Sequence, residues 1–233
     1  MNRRHVIANA ALIIAVITTR SLGAQSPAQS PSAKAADSVY LAMLKPLRES
    51  GDTTVDVTAL RRALAATSFY SPYDNDRDEQ RHRMWARLDA NDAPGALQIA
   101  DSLLSVNYLD FDTQIGAGAA AKESGDSIGA QRHFAIARAI VRSIESTGDG
   151  RSPEHALFVI APSEEYSYLG VVGLRRSGMQ SLTHCRGHAC DALEVTPRAG
   201  GDKFTMFFEV SLALDWMTNQ LSQGEKDTKA PKL

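Results

Sequence analysis

The stretch GDGRSPEHALFVI, residues 148–160, separates two regions with different apolar patterns and therefore decides the fold. Its Gly-Asp-Gly start ends a long region in which apolar residues recur at helical spacing. Its last four residues form a short apolar run that is typical of a strand. We therefore expect an α+β protein, with stacked antiparallel helix pairs before this stretch and a small antiparallel sheet with one short helix after it.

The region before the stretch, residues 37–147, is predicted to be helical throughout. A first helix is expected over residues 38–49, although Pro46 should bend or interrupt it. Three residues recur at an offset of 34 positions: Asp92, Gly95 and Ala96 are matched by Asp126, Gly129 and Ala130. This offset is the tetratricopeptide period, and Gly118 falls where that repeat needs a small residue. Two ordinary helical hairpins of similar length would give the same pattern, and both interpretations predict antiparallel helix pairs.

The region after the stretch, residues 148–221, predicts a β-α-β-β-β order. The short helix should begin at Ser163, whose hydroxyl can cap it. Segments at 179–184, 191–196 and 203–210 alternate in the manner of half-buried antiparallel strands. The last of these strands has one apolar face, which should be the core: Phe204, Met206, Phe208 and Val210.

The two ends of the chain predict export and little fixed structure. Residues 1–24 have the order of a cleavable signal peptide, with a basic start, a 14-residue apolar run at 6–19, and Gly23 and Ala24 at the cleavage site. The run is shorter than the roughly 18 to 20 residues that span a bilayer core, so a membrane anchor is the weaker alternative. We expect a periplasmic or secreted protein with no membrane span after cleavage. A flexible leader at 25–36 and a disordered tail at 222–233 are also predicted.

The charge balance excludes some partners. Loss of Arg3, Arg4 and Arg20 with the signal peptide takes the formal net charge from −2 to −5. A mildly acidic chain lacks the clustered cations that bind nucleic acid or anionic lipid. We therefore expect neither partner.

Three sequence motifs resemble a known family. They are VTALRRALAATSFYSPY at residues 57–73, GDGRSPEHALFVI with the EEY that follows it at 164–166, and GHACDALEV at 187–195. Through their order, residues 53–217 resemble the bacterial family called domain of unknown function 4919. The resemblance implies an exported protein of helical-repeat type and no assigned reaction.

Cys185 and Cys190 are the only cysteines, and they flank a predicted hairpin turn. In an exported protein a disulfide is the expected state of such a pair. His184 and His188 stand in the same seven residues, which leaves a metal site as an alternative. Four ligands in so short a loop rarely reach tetrahedral geometry, so we expect no metal and no cofactor, with free thiols as the third possibility.

Glu164 and Glu165 are the strongest candidates for acid-base chemistry, together with the neighbouring Tyr166. A hydrolase would pair one of these acids with His184 or His188 in a cleft between the two halves. Paired acids in a first helical turn more often interact with the helix dipole on a solvated face. We therefore expect a non-enzymatic module of the cell envelope that binds a protein or peptide, with the hydrolase as the alternative.

Overall fold

The structure is a computed structural model that describes residues 31–229, so the predicted signal peptide and residues 25–30 lie outside it. The described part contains eight α-helices: α1 (Pro31–Ser50), α2 (Val57–Ala65), α3 (Asn75–Asp89), α4 (Ala93–Val106), α5 (Phe111–Glu123), α6 (Ser127–Glu145), α7 (Pro162–Val171) and α8 (Ser211–Lys229). It also contains four strands: β1 (Leu157–Phe158), β2 (Leu174–Cys185), β3 (His188–Pro197) and β4 (Phe204–Glu209). Six helices precede the sheet, so the predicted α+β class is confirmed.

Aspartate side chains start the helices from α2 to α6. In each case the carboxylate accepts a hydrogen bond from the third residue of the helix, a backbone N–H that the helix itself leaves unpaired. The five caps are Asp56, Asp74, Asp92, Asp110 and Asp126. These short polar turns let consecutive helices fold back on each other, which gives the antiparallel pairs predicted from the sequence.

The two segments related by the offset of 34 residues have the same local structure. Asp92 accepts from the Gly95 N–H at 3.0 Å, and Asp126 accepts from the Gly129 N–H at 2.9 Å. A side chain at either glycine would collide with the capping carboxylate. Gly118 also matches its predicted role, since a Cβ there would lie 2.7 Å from the Phe134 ring on α6.

The sheet has the order β1-β4-β3-β2 and is mixed, which corrects the expectation of an antiparallel sheet. Strands β2, β3 and β4 are antiparallel neighbours, as tight turns between consecutive strands require. Strand β1 pairs with β4 in parallel, with Leu157 opposite Phe208. No tight turn joins these two strands, because α7 carries the chain from β1 to the far edge of the sheet, so their relative direction is not fixed by a hairpin.

One hydrophobic core joins the helical half to the sheet. The predicted core face is confirmed: Met206 and Phe208 of β4 and Val210, which directly follows the strand, are buried, and Phe204 is partly buried against the same core. Helix α7 covers this face, and the Tyr168 ring packs edge-on against Phe208 with centroids 6.2 Å apart. From the helical side, the Tyr70 hydroxyl donates to the Ile160 carbonyl oxygen just after β1. The two halves therefore form one packed unit.

Four local predictions are corrected. Residues 31–36 belong to α1 instead of the flexible leader, and residues 222–229 belong to α8 instead of the disordered tail. Of the two outcomes expected at Pro46, an interruption does not occur: α1 continues through this exposed residue, where the carbonyl oxygen four residues earlier can meet water. Helix α7 begins at Pro162 after Ala161, so Ser163 lies within its first turn and is not its cap.

Candidate functional site

A groove runs between the helical half and α7, and we call it the α7 groove. It consists of three adjoining depressions of about 460, 420 and 260 Å³. The first and second share Asp112, Tyr166 and Ser167, and the second and third share Phe111, Ile115 and Val171. Because neighbouring depressions share their walls, they form a single surface that crosses α3, α5, α7 and α6.

The α3 end of the groove is polar. Arg81 lies between two carboxylates: its guanidinium donates to Asp110 at 2.5 Å and also to Asp78. Trp85, one turn further along α3, lines the same depression. The single positive charge of Arg81 is therefore already shared by two acids, and this end of the groove keeps a negative balance.

Asp112 lies at the middle of the groove, in the first turn of α5. Its Oδ2 accepts a hydrogen bond from the Ser167 hydroxyl on α7 at 2.7 Å. Burial raises the pKa of this carboxyl above its ordinary value, and the nearby Asp110 and Glu164 raise it further. Asp112 is thus a partly buried acid whose negative charge the protein compensates incompletely.

The α6 end of the groove has an apolar floor, and charged side chains of α6 line its rim: Arg138, Arg142 and Glu145. Phe111, Ile115 and Val141 form its floor beside Val171 of α7. Val171 is 50% exposed, although it belongs to a helix whose other face is buried in the core. An exposed apolar wall beside a partly filled depression is the kind of surface that a partner side chain can cover.

The inner face of α7 carries a buried ion pair that the sequence did not indicate. Glu164 and Arg61 of α2 are joined at 2.5 Å, and the Arg61 side chain has no solvent exposure. The same Glu164 oxygen accepts from the Ile160 N–H at 2.9 Å, while Arg61 also donates to Ser143 of α6 at 3.2 Å. One charged contact therefore connects α2, α6 and α7, and it fixes the wall of the groove against the helical half.

Glu165, the next residue, is buried without an ion-pair partner. No donor of the described residues reaches either of its carboxyl oxygens, and its polar neighbour is the carboxyl of Asp191 on β3. Burial, with the added repulsion of Asp191 and Glu164, raises the pKa of Glu165 to about 9. Asp191 is partly exposed and accepts from the Gln180 amide at 2.8 Å, so the proton belongs on Glu165. The two carboxyl groups can then share a hydrogen bond.

These positions correct the expectation of a solvated acidic face. Glu164 is 7% exposed and Glu165 is fully buried. Only Tyr166 of this tripeptide faces outward, and its hydroxyl donates to Gln180 at 2.8 Å. Tyr168 and Leu169, one turn further along α7, are buried on the same side of the helix and belong to the main core.

The structure does not bring the buried acids and the candidate histidines together. His184 and His188 are both exposed on the β2–β3 hairpin. Alternation along β3 places His188 on the opposite face from Asp191, and the groups that shift the pKa of Glu165 are both acidic. The arrangement offers no imidazole as a partner for general acid-base catalysis at Glu165.

Cys185 and Cys190 form a disulfide with an S–S distance of 2.04 Å, so the predicted bond is confirmed. Both side chains are completely buried against Ala156 and Phe207. The disulfide lies on the face of the sheet away from α7, where it holds the end of the hairpin, and the groove does not reach it.

Metal sites and membrane-spanning helices are two further features to consider. Within residues 31–229, no group of three or more His, Cys, Asp and Glu side chains is placed to hold a metal ion. In the same range, no helix is both long and apolar enough to cross a membrane.

Comparison with known proteins gives one result. The family model described as "Domain of unknown function (DUF4919)" matches residues 31–219. The chain belongs to the DUF4919 family. No curated protein and no solved structure shows a significant match to it. For this DUF4919 protein the match begins at the first residue of α1 and includes the whole α7 groove, the buried acids and the disulfide.

Of the residues that line the groove of this DUF4919 protein, Tyr166 was a candidate from the sequence, and the others were not found. Asp112 follows the capping residue Asp110 by two positions, and such acids usually serve the helix terminus alone. Trp85 and Arg81 stand one turn apart on α3, where the pattern indicates an ordinary solvated helix. A signal for the site is visible only once α7 is placed beside α5, because the groove is formed by segments about 55 residues apart.

Proposed function

We propose that this DUF4919 protein is an exported, non-enzymatic module of the bacterial cell envelope that binds an extended segment of another protein in the α7 groove. The observation that carries the proposal is the continuity of the three depressions, which join a polar end at α3 to an end at α6 whose floor is apolar. Pairs of antiparallel helices often present such surfaces to peptides. A segment with alternating polar and apolar side chains would fit both ends at once.

The chemistry of the groove also favours binding over reaction. Asp78 and Asp112 accept hydrogen bonds from Arg81 and Ser167, respectively. Glu165, the acid with the strongly raised pKa, is buried and does not line the groove. A general acid or base must lie within hydrogen-bond reach of a substrate. A hydrolase that pairs Glu164 or Glu165 with His184 or His188 therefore has no support in this geometry.

Export is supported by two features of the chain. The N-terminal order of residues 1–24 is that of a signal peptide, and the disulfide is a bond that persists in oxidising compartments. Mass spectrometry of the protein from the producing bacterium tests this part of the proposal. We expect Gln25 at the N-terminus and a mass two hydrogens below that of the reduced chain. An intact Met1 with two free thiols would contradict export.

The binding proposal is tested with a matched pair of variants. Peptides of twelve residues are selected from a random display library on the wild-type protein, and their affinities are measured by isothermal titration. Val171→Gln removes an exposed apolar side chain from the groove. Val39→Gln makes the same change at an exposed position of α1, outside the groove. Loss of a buried valine contact costs on the order of tenfold in affinity.

We expect the selected peptides to bind Val171→Gln about tenfold more weakly and Val39→Gln as tightly as the wild type. If no peptide is enriched, or if the peptides bind Val171→Gln unchanged, the groove is not the binding surface. Equal thermal unfolding of the two variants establishes that the loss is local.

A further inference from the structure

The charge at the middle of the groove indicates what kind of segment it binds. Asp112 faces two depressions of the α7 groove, and Ser167 is the hydrogen-bond donor that reaches it. Arg81, the arginine that lines the same depression as Asp112, is held between Asp78 and Asp110. A partly buried carboxylate without its own cation favours a ligand that supplies one.

Aromatic rings adjoin this carboxylate. Trp85 of α3 and Tyr166 of α7 line the same depression as Asp112. Tyr166 is 43% exposed, so its ring is accessible from the groove. Lysine and arginine side chains are attracted to the faces of such rings, and their methylene groups gain apolar contact there. A carboxylate with two rings nearby therefore suits a long cationic side chain better than a metal ion or a small amine.

In the second depression, Asp112 is the one charged side chain among the described residues that line it, and the arginines Arg138 and Arg142 lie further along, at the α6 end. Phe111 precedes Asp112 in the chain, and with Ile115 and Val171 it lines the second depression that Asp112 also lines. A cationic side chain at Asp112 would therefore stand close to an apolar side chain of the same ligand. We propose that the α7 groove recognises a segment in which a lysine or arginine is followed closely by an apolar residue. This inference rests on the proposed function and specifies its ligand.

The test uses two blocked pentapeptides. One has lysine, leucine and phenylalanine between glycines, and the other has norleucine in place of lysine, which keeps the chain length and removes the charge. Binding of fluorescein-labelled peptides is followed by anisotropy at low salt. We expect the lysine peptide to bind on the order of tenfold more tightly than the norleucine peptide, since a hydrogen bond to a charged group is lost in the latter.

Variants assign that preference to particular residues. Asp112→Asn should bring the two affinities within about twofold of each other, while Asp101→Asn on exposed α4 should leave the preference intact. Tyr166→Leu changes an exposed side chain and should reduce binding of the lysine peptide about threefold. It serves as the second test if Asp112→Asn does not fold.

The outcomes separate this inference from the proposed function. If both peptides bind the wild type equally, or if Asp112→Asn keeps the preference for lysine, the inference is wrong and binding in the groove still stands. If neither peptide binds and the display selection also enriches none, the proposed function fails with it.

Discussion

Replacing Glu165 with glutamine should stabilise this protein at neutral and alkaline pH. Burial raises the pKa of Glu165 to about 9, whereas the ordinary value is 4.5. At pH 7 the Glu165 carboxyl is ionised in the unfolded chain and protonated in the folded state, so folding takes up one proton. The folded state keeps this proton because no cation of the described residues lies beside the carboxyl. At about 1.36 kcal/mol per pH unit, this uptake costs about 3 kcal/mol at pH 7.

The sign of the effect follows from the direction of the shift. A carboxyl whose pKa is raised on folding stabilises the folded state fully below its unfolded pKa, and that stability is lost as the pH rises toward the folded value. The window for Glu165 is therefore pH 4.5 to about 9. Glu165→Gln keeps the shape of the side chain, and its amide can still donate to Asp191, so the variant should lose this pH dependence.

The measurement is urea unfolding followed by circular dichroism at pH 5, 6, 7 and 8. The free energy of unfolding of Glu165→Gln minus that of the wild type should be small at pH 5 and should grow by about 1.4 kcal/mol for each pH unit above it. Glu123→Gln, on an exposed position of α5, is the matched control and should change nothing. If the free energy of unfolding of Glu165→Gln changed with pH as steeply as that of the wild type, Glu165 would not be protonated in the folded state.

The adjacent Glu164 makes the comparison sharper, because the same substitution should have the opposite effect there. Glu164→Gln leaves Arg61 charged and fully buried without its carboxylate. Breaking a buried ion pair in this way costs about 3 to 5 kcal/mol. Two neighbouring glutamates with the same class of burial would thus differ in the sign of their effect on unfolding, and the same urea titration at pH 7 checks both.

Three other predictions concern the stability of the two halves. Reducing the disulfide between Cys185 and Cys190 should lower the free energy of unfolding by about 2 kcal/mol, since it closes only a short loop; urea titrations with and without reductant measure this. Gly118→Ala should destabilise the protein by about 1 kcal/mol or more in thermal unfolding, because the rigid Phe134 ring must move and this outweighs the gain in helix propensity. Asp126→Ala should cost about 1 kcal/mol through loss of the cap of α6, and an unchanged melting temperature would contradict the cap.

Local chemistry made a large part of the fold predictable. The helix pairs that contain Asp92 and Asp126 and the alternation of β4 depend on nearest neighbours, and both are confirmed. The hairpin disulfide was predictable for the same reason, since a turn brings its two cysteines together. The parallel pairing of β1 with β4 was not, because it depends on where a chain segment about 50 residues away lies.

The site could not be predicted because solvated acids and buried acids have the same local sequence pattern. Glu164 and Glu165 stand in the first turn of α7, where acids are usually solvated. What distinguishes them is Arg61, 103 residues before Glu164, and the sheet beneath Glu165. Asp112 was overlooked for a related reason, since Ser167, its donor, lies 55 residues further along the chain. The sequence does not indicate whether a charged residue is buried unless its interaction partner lies nearby along the chain.

The two unusual features of this protein, the buried acids and the α7 groove, depend on one short helix. Helix α7 holds Glu164 and Glu165 in the core, while Tyr166 and, at its last turn, Val171 are exposed and line the groove. A helix of ten residues has little stability of its own, so its position depends on the contacts of its inner face. Those contacts include a charge pair and a carboxyl that must stay protonated. The wall of the groove is therefore held by interactions that are individually strong and sensitive to single substitutions, and a variant that moves α7 should change both stability and binding.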